Sequence, residues 1–335
     1  MSTDKRLGVA LVGLGYYSTH QLAPALQQTE HCHLAGIVTG SPEKVPVWQN
    51  RYGIPDKNIY SYDNYDSIVS NPDIDIIYIV LPNHLHAEYT IRGLQASKHV
   101  ICEKPMALSV DECDAMIAAA EKANKNLSIG YRLHYDACNL EMIRLAKEKI
   151  YGEIKSIDTA FCITPQKGEW RLDKKIAGGG PLMDVGIYCL QAVCYITGMQ
   201  PVAVTAQSFP VSDKEKFKDI EETITWQMEM PDGLVATCKT SYSEQTGYIK
   251  VNAESGWFAL NPAYNYEGLK METSDGKQFC VPPFSQQAKQ LDGIAFSIKN
   301  NEQSIVPGNM GRRDMKIIAA IYEAMQSGKR IEINY

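Results

Sequence analysis

The feature that constrains this chain most is an alternation near its N-terminus: short apolar runs of strand length, separated by helix-like stretches. Leu7–Val12 (LGVALV) is the first run, Leu34–Val38 the second and Ile74–Leu81 (IDIIYIVL) the third. His99–Cys102 and Leu127–Gly130 are the fourth and fifth. Uninterrupted apolar runs, unlike in–out alternation, belong to strands buried on both faces, as in a parallel sheet covered by helices. His86–Ala96 and Asp111–Ala123 read as two of those helices, the second opened by Ser109 with Glu112 three residues on, a capping-box spelling.

A chain of 335 residues is long enough for about two domains, and the pattern changes near Tyr151. After a helix over 136–149 come longer, often alternating runs: Ile154–Ile163, Val202–Phe209, Glu222–Met230, Leu234–Ser243, Tyr248–Asn252, Trp257–Leu260 and Leu269–Thr273. Pro231-Asp232-Gly233 and Ser274-Asp275-Gly276 are tight-turn spellings between strands that should pair antiparallel. Helices are predicted at Pro181–Thr197, Ser285–Lys299 and Gly311–Ser327. The expected fold is α/β followed by α+β: a doubly wound domain over 1–130, then a mostly antiparallel, open-faced sheet domain over 131–335.

Composition narrows the function classes. A net charge of −6 disfavours nucleic acid and anionic membrane as partners, and no apolar run reaches membrane-spanning length. The nine cysteines (32, 102, 113, 138, 162, 189, 194, 238 and 280) are scattered with no C-x-x-C pair, as in reduced core thiols of a cytoplasmic protein. His31-x-His33 and His84-x-His86 lack a third ligand at a recognised spacing, so no metal is expected.

Gly13-Leu14-Gly15-Tyr16-Tyr17-Ser18 follows the first strand and opens a helix. In that context Gly13 permits the tight turn, Gly15 lets backbone approach a pyrophosphate, and small Ser18 replaces the third glycine of the dinucleotide fingerprint. Alone the motif is weak; four following strands strengthen it. A site for NAD would place an acid at the end of the second strand, where this chain reads Val38-Thr39-Gly40-Ser41-Pro42-Glu43-Lys44. Thr39, Ser41, the Gly40 backbone and Lys44 suit a 2′-phosphate, so NADP(H) is expected over NAD(H).

Two further segments carry chemistry. Glu103-Lys104-Pro105 follows the fourth strand, at the carboxyl edge where parallel sheets bind ligands. Gly178-Gly179-Gly180-Pro181 opens a helix on which Asp184 and Tyr188, spaced i,i+4, share a face. A carboxylate and a phenol serving with a lysine make a proton-handling trio, because an ammonium beside a phenol favours its ionised form. Each segment alone also reads as an ordinary charged turn or a capped amphipathic helix.

Together these segments resemble the glucose–fructose oxidoreductase / inositol dehydrogenase / rhizopine-catabolism (Gfo/Idh/MocA) family, and most of all its glucose–fructose oxidoreductase branch. The likeness runs from Leu7 to about Ile333, through IYIVLPNHLHAEYTIRGLQASKHVICEKPMALS, IGYRLHYDACN, EWRLDKKIAGGGPLMDVGIYCLQAVCYITG and GRRDMKIIAAIYEAMQSGKR. It implies a Rossmann domain, a C-terminal sheet that joins subunits into a homodimer or homotetramer, and catalytic Lys104 and Tyr188 with Asp184 beside them. Most members carry histidine where this chain has Tyr188.

By the same resemblance the cofactor contacts are Gly13, Leu14, Gly15, Tyr16, Tyr17, Thr39, Gly40, Ser41, Lys44, Tyr62, Leu81, Pro82, Asn83, His86, Glu103, Lys104, Trp170, Arg171 and Tyr264. Arg132, Tyr135, Asp184 and Tyr188 would meet the substrate. The implied activity is hydride transfer between NADP(H) and a cyclic sugar or polyol, at C1 of an aldopyranose. Reduction of a dicarbonyl or anhydrosugar, dihydrodiol oxidation, and a non-catalytic NADP-sensing regulator stay open. The family's exported enzyme carries a twin-arginine signal and a cofactor-embracing arm; only Met1–Arg6 precede the first strand here, so a cytoplasmic enzyme that exchanges its cofactor is expected.

Overall fold

The computed structural model describes residues 5–277, 279 and 285–335, and Cys280 lies outside them. They form two compact units: one from Met1–Tyr135 and Phe284–Arg312, the other from Asp136–Pro283 and Arg313–Tyr335.

The first unit is built on a six-stranded sheet of β1 (Leu7–Val12), β2 (Cys32–Val38), β3 (Ile59–Tyr60), β4 (Ile76–Ile79), β5 (His99–Cys102) and β6 (Leu127–Ile129). Its order is β3-β2-β1-β4-β5-β6, with every pairing parallel. All six residues of β1 are buried, which the unbroken apolar spelling of a central strand requires. The chain leaves β1 toward β2 on one side and reaches β4 on the other. That reversal creates the topological switch point at whose carboxyl edge α/β sheets bind ligands.

Helix ends follow local chemistry. Ser109 caps the helix Val110–Ala123 by accepting the Glu112 N–H at 3.2 Å. The returning Glu112 carboxylate takes the N–H of Leu108 at 2.8 Å, one residue before the cap. Asp136 caps Ala137–Lys147 through the Asn139 N–H, and Ser285 caps Gln286–Lys299.

The second unit carries an eight-stranded sheet: β7 (Ile154–Cys162), β8 (Ala203–Ser208), β9 (Thr223–Glu229), β10 (Val235–Ser241), β11 (Thr246–Ala253), β12 (Gly256–Leu260), β13 (Met271–Thr273) and β14 (Ile331–Glu332). The order is β13-β12-β11-β7-β10-β9-β8-β14. Only β7 with β10 is parallel. Burial alternates along β9 and β10, so this sheet has one covered face. Gly233, at φ +85°, turns β9 into β10, as the Pro-Asp-Gly spelling requires.

The eight described cysteines are buried and unbridged. Among the described residues no helix is long and apolar enough to cross a membrane, and no group of His, Cys, Asp and Glu is arranged to hold a metal.

Candidate active site

In the first unit the glycine turn lies at the switch point. Gly13 has φ +93°, and a side chain there would drive Cβ to 2.4 Å from the Val80 carbonyl oxygen. Its N–H continues the β1–β2 ladder to Val38 O at 3.0 Å. Gly15 is the opposite case: a Cβ there would meet no protein atom within 4 Å. The turn therefore combines a backbone conformation that glycine adopts without strain and an open face, which is what a pyrophosphate needs. Buried Ser18 donates to Gly13 O at 2.5 Å, tying the first turn of the helix back onto the loop. That turn is widened over Ser18–Leu22, with Ala23 N–H reaching Ser18 O. Tyr17 is half-buried beside it, and Tyr16 is 71% exposed.

The β2 end offers hydroxyls. Thr39 is buried and its Oγ1 accepts the Ser41 N–H at 3.0 Å; Gly40 leaves room for the Tyr62 ring, 2.9 Å from where a Cβ would sit. Tyr62 stacks edge-on with Tyr89, and burial raises its phenol above the ordinary value. Lys44 donates to the Leu14 carbonyl at 2.9 Å, so its ammonium is anchored on the glycine turn.

The loops after β4 and β5 are stapled together by His86. The ring is 1% exposed, with Nε2 2.9 Å from Leu81 O and Nδ1 2.7 Å from Pro105 O; burial lowers its basicity. Leu81 packs under Gly13, and Pro82 precedes a short turn holding buried Asn83. Glu103 is buried: Oε1 accepts from the Tyr78 phenol at 2.6 Å and Oε2 from the Lys104 N–H at 3.2 Å. Burial raises both the Glu103 carboxyl and the Tyr78 phenol, and Gln290 donates to the latter at 3.1 Å. Glu103 thus fixes the backbone of Lys104 from inside. Arg132 is buried and donates to Gln286. Tyr135 packs against Gly293, its phenol pushed up to about 12 by burial.

In the second unit Asp184 is the hub. Its Oδ2 accepts from Arg171 Nη1 at 2.6 Å and from the buried Tyr242 phenol at 3.0 Å. The Asp184 carboxylate holds the Arg171 guanidinium above its ordinary range, and burial does the same to the Tyr242 phenol. Arg171 also pairs with Glu169 at 2.8 Å and lies 5.4 Å over the Trp170 ring. Asp184 sits in a widened turn, Leu182–Gly186, where Ile187 N–H reaches Leu182 O; Ile187–Thr197 continues as a regular helix. Tyr188 is half-buried in the first turn of that helix, edge-on to Phe161 at 5.5 Å. Tyr264 stacks on Phe161 at 4.7 Å and bonds Thr159, which makes it a packing wedge behind Tyr188.

Two residues central to this geometry escaped the sequence reading: Tyr78 and Tyr242. Tyr78 lies inside the segment that carries the family likeness, yet nothing there marks it as the donor to Glu103; Tyr242 lies in no motif. Each acquires its role from a partner far along the chain, 58 residues away for Tyr242 with Asp184.

Residues 7–131 match the model of an oxidoreductase family with an NAD-binding Rossmann fold, and residues 140–259 match the GFO/IDH/MocA C-terminal domain. The chain is similar to a solved aldose-aldose oxidoreductase from Caulobacter crescentus: 39% identity over 98% of this chain and 100% of that one, TM-score 0.95. D-xylose 1-dehydrogenase [NADP(+)] of Haloarcula marismortui is 24% identical over 99% of this chain and 95% of its own length. D-glucoside 3-dehydrogenase of Escherichia coli is 23% identical over 99% of each. With its parallel sheet, glycine turn and nicotinamide-nucleotide domain, this chain belongs to the Gfo/Idh/MocA family of NAD(P)-dependent oxidoreductases.

Proposed function

We propose that the protein catalyses reversible, NADP(H)-dependent oxidation of a cyclic sugar at C1 of an aldopyranose, giving an aldonolactone. The observation that carries this reading is Asp184 held on one oxygen by Arg171 and Tyr242, four residues before half-buried Tyr188. A fixed carboxylate orients a sugar hydroxyl, and a phenol in reach of water can exchange a proton. In the oxidative direction Tyr188, as phenolate, takes the C1 hydroxyl proton while C1 gives up its hydrogen with both bonding electrons; in reverse the phenol protonates the lactone-derived oxygen as C1 regains that hydrogen. When bound, the nicotinamide supplies hydride acceptance and donation at C4. Lys104 is assigned to the same reaction on its Glu-Lys-Pro motif.

The glycine turn would hold the pyrophosphate, with Gly15 presenting backbone to it. Preference for NADP(H) rests on Thr39, Gly40 and Ser41 at the β2 end, with no acid before Glu43, and on relatives whose names specify NADP(+). Lys44 would then act through the glycine turn that it braces. Assembly through the open sheet into a homodimer or homotetramer is part of this reading. A panel of aldopyranoses against their 1,5-anhydro analogues, each with NADP⁺ and NAD⁺, tests it. Turnover confined to sugars bearing a C1 hydroxyl supports the assignment; equal turnover of the anhydro analogues contradicts it.

A further inference from the structure

We infer that Glu221 is the positioning residue for the proton-transfer helix, an inference that rests on the reading of Tyr188 and Asp184 just given. The Glu221 side chain turns inward and meets the start of that helix. Its Oε2 accepts the Gly180 N–H at 3.0 Å, and its Oε1 accepts the Leu182 N–H at 3.2 Å and the Tyr322 phenol at 2.9 Å. Pro181, between them, has no N–H to give. One carboxylate thus takes the backbone donors flanking Pro181 that the helix start leaves without an internal partner. Negative charge at a helix N-terminus is favoured in any case.

The three glycines are explained by the same arrangement. Gly178 ends the preceding helix Lys174–Ala177 at φ +83°. A Cβ at Gly179 would lie 2.0 Å from the Tyr322 phenol oxygen, and one at Gly180 would lie 2.4 Å from Glu221 O. The motif keeps side chains out of the way of this clamp. The clamp is needed because the next turn, Leu182–Gly186, is widened and so is weakly specified by its own hydrogen bonds. Asp184 lies inside that turn and Tyr188 just beyond it. Their direction follows from where Glu221 fixes Gly180 and Leu182.

The test compares Glu221→Gln, Tyr322→Phe and Tyr188→Phe in the full-length enzyme, measuring kcat, KM for the sugar, Kd for NADP(H), Tm and the pH profile of kcat. Glu221→Gln keeps an acceptor for Leu182 and loses the one for Gly180. It should lower kcat about tenfold to a hundredfold, since small misplacement of a reacting group costs that much. KM and Kd should stay within about threefold, and the pH profile should move. Tyr322→Phe should show the same pattern more weakly, and it decides the matter if Glu221→Gln fails to fold. Wild-type kcat in both, with activity lost in Tyr188→Phe, overturns the inference alone; so does a kcat loss that only tracks lower Tm and weaker NADP(H) binding. Full activity in Tyr188→Phe overturns the functional reading and this inference with it.

Discussion

Tyr242 donates its buried phenol to the Asp184 oxygen that Arg171 holds from the other side, at 3.0 and 2.6 Å respectively. The carboxylate is therefore oriented by two donors from different elements. Tyr242→Phe removes one of them without creating a large cavity. It should lower kcat about tenfold while costing about 1 kcal/mol of stability, because Arg171 still neutralises the carboxylate. Steady-state kinetics beside urea unfolding checks both numbers; a large stability loss with unchanged kcat would reverse the assignment.

The two glycines of the turn should separate folding from binding. Gly13→Ala places Cβ against the Val80 carbonyl at a positive φ and should destabilise the fold by about 1–3 kcal/mol. Gly15→Val fills space that no protein atom occupies. It should leave stability within about 1 kcal/mol and weaken NADP(H) binding by at least about tenfold. Thermal unfolding and fluorescence titration of NADPH distinguish the two.

His99 predicts a pH effect of defined sign. Burial, then nearby Lys125, lowers its pKa to about 4, and its Nδ1 accepts the Asn126 N–H at 3.0 Å, which a protonated ring cannot do. The folded value lies below the unfolded one of about 6.5. The stability it contributes is present above that value and is lost as pH falls toward 4, up to about 3 kcal/mol. Glu103 and Glu221, raised by burial, act in the opposite direction, so the informative quantity is a difference. Between pH 7 and pH 4.5, wild type should lose more stability than His99→Gln; equal losses would refute the assignment.

Burial should also silence the thiols. Cys32, Cys189 and Cys194 are each pushed up to about 12, far from the thiolate needed for reaction. In a Cys280→Ser background, Ellman's reagent should label the native protein slowly and all remaining thiols promptly once it is unfolded. Fast labelling of the native chain would contradict the packing described.

Much of the fold was legible because it depends on local apolar spelling. β1 and β5 begin and end where the sequence predicts, β2 begins earlier, at Cys32, and β4 is shorter at both ends. β3 and β14 were missed: two residues carry no periodicity, and their pairing comes from the neighbouring strand. The helix predicted over Pro181–Thr197 is there, but nothing in its spelling announces the widened turn at Leu182–Gly186 or the remote groups that meet the residues just before it, Thr240 at the Pro181 carbonyl and Glu221 at the Gly180 N–H.

Site chemistry was legible only as motifs. The glycine turn and the Asp184–Tyr188 spacing stand out along the sequence. What fixes the site's side chains does not, because the partners are remote: Asp184 finds Tyr242, 58 residues on, and Arg132 finds Gln286, 154 residues on. Lys44 shows the same limit: its place after β2 points along the sequence to a phosphate, and nothing there announces its donation to Leu14, 30 residues earlier.

If the Tyr188 phenol handles the proton of the sugar hydroxyl, sugar-dependent NADP⁺ reduction must separate wild type from Tyr188→Phe, with NADPH affinity measured on the same samples. The expected result is a fall in kcat of about 10²–10⁴-fold with unchanged NADPH affinity. A Tyr188→Phe enzyme that binds NADPH normally and keeps kcat within about threefold of wild type would contradict it.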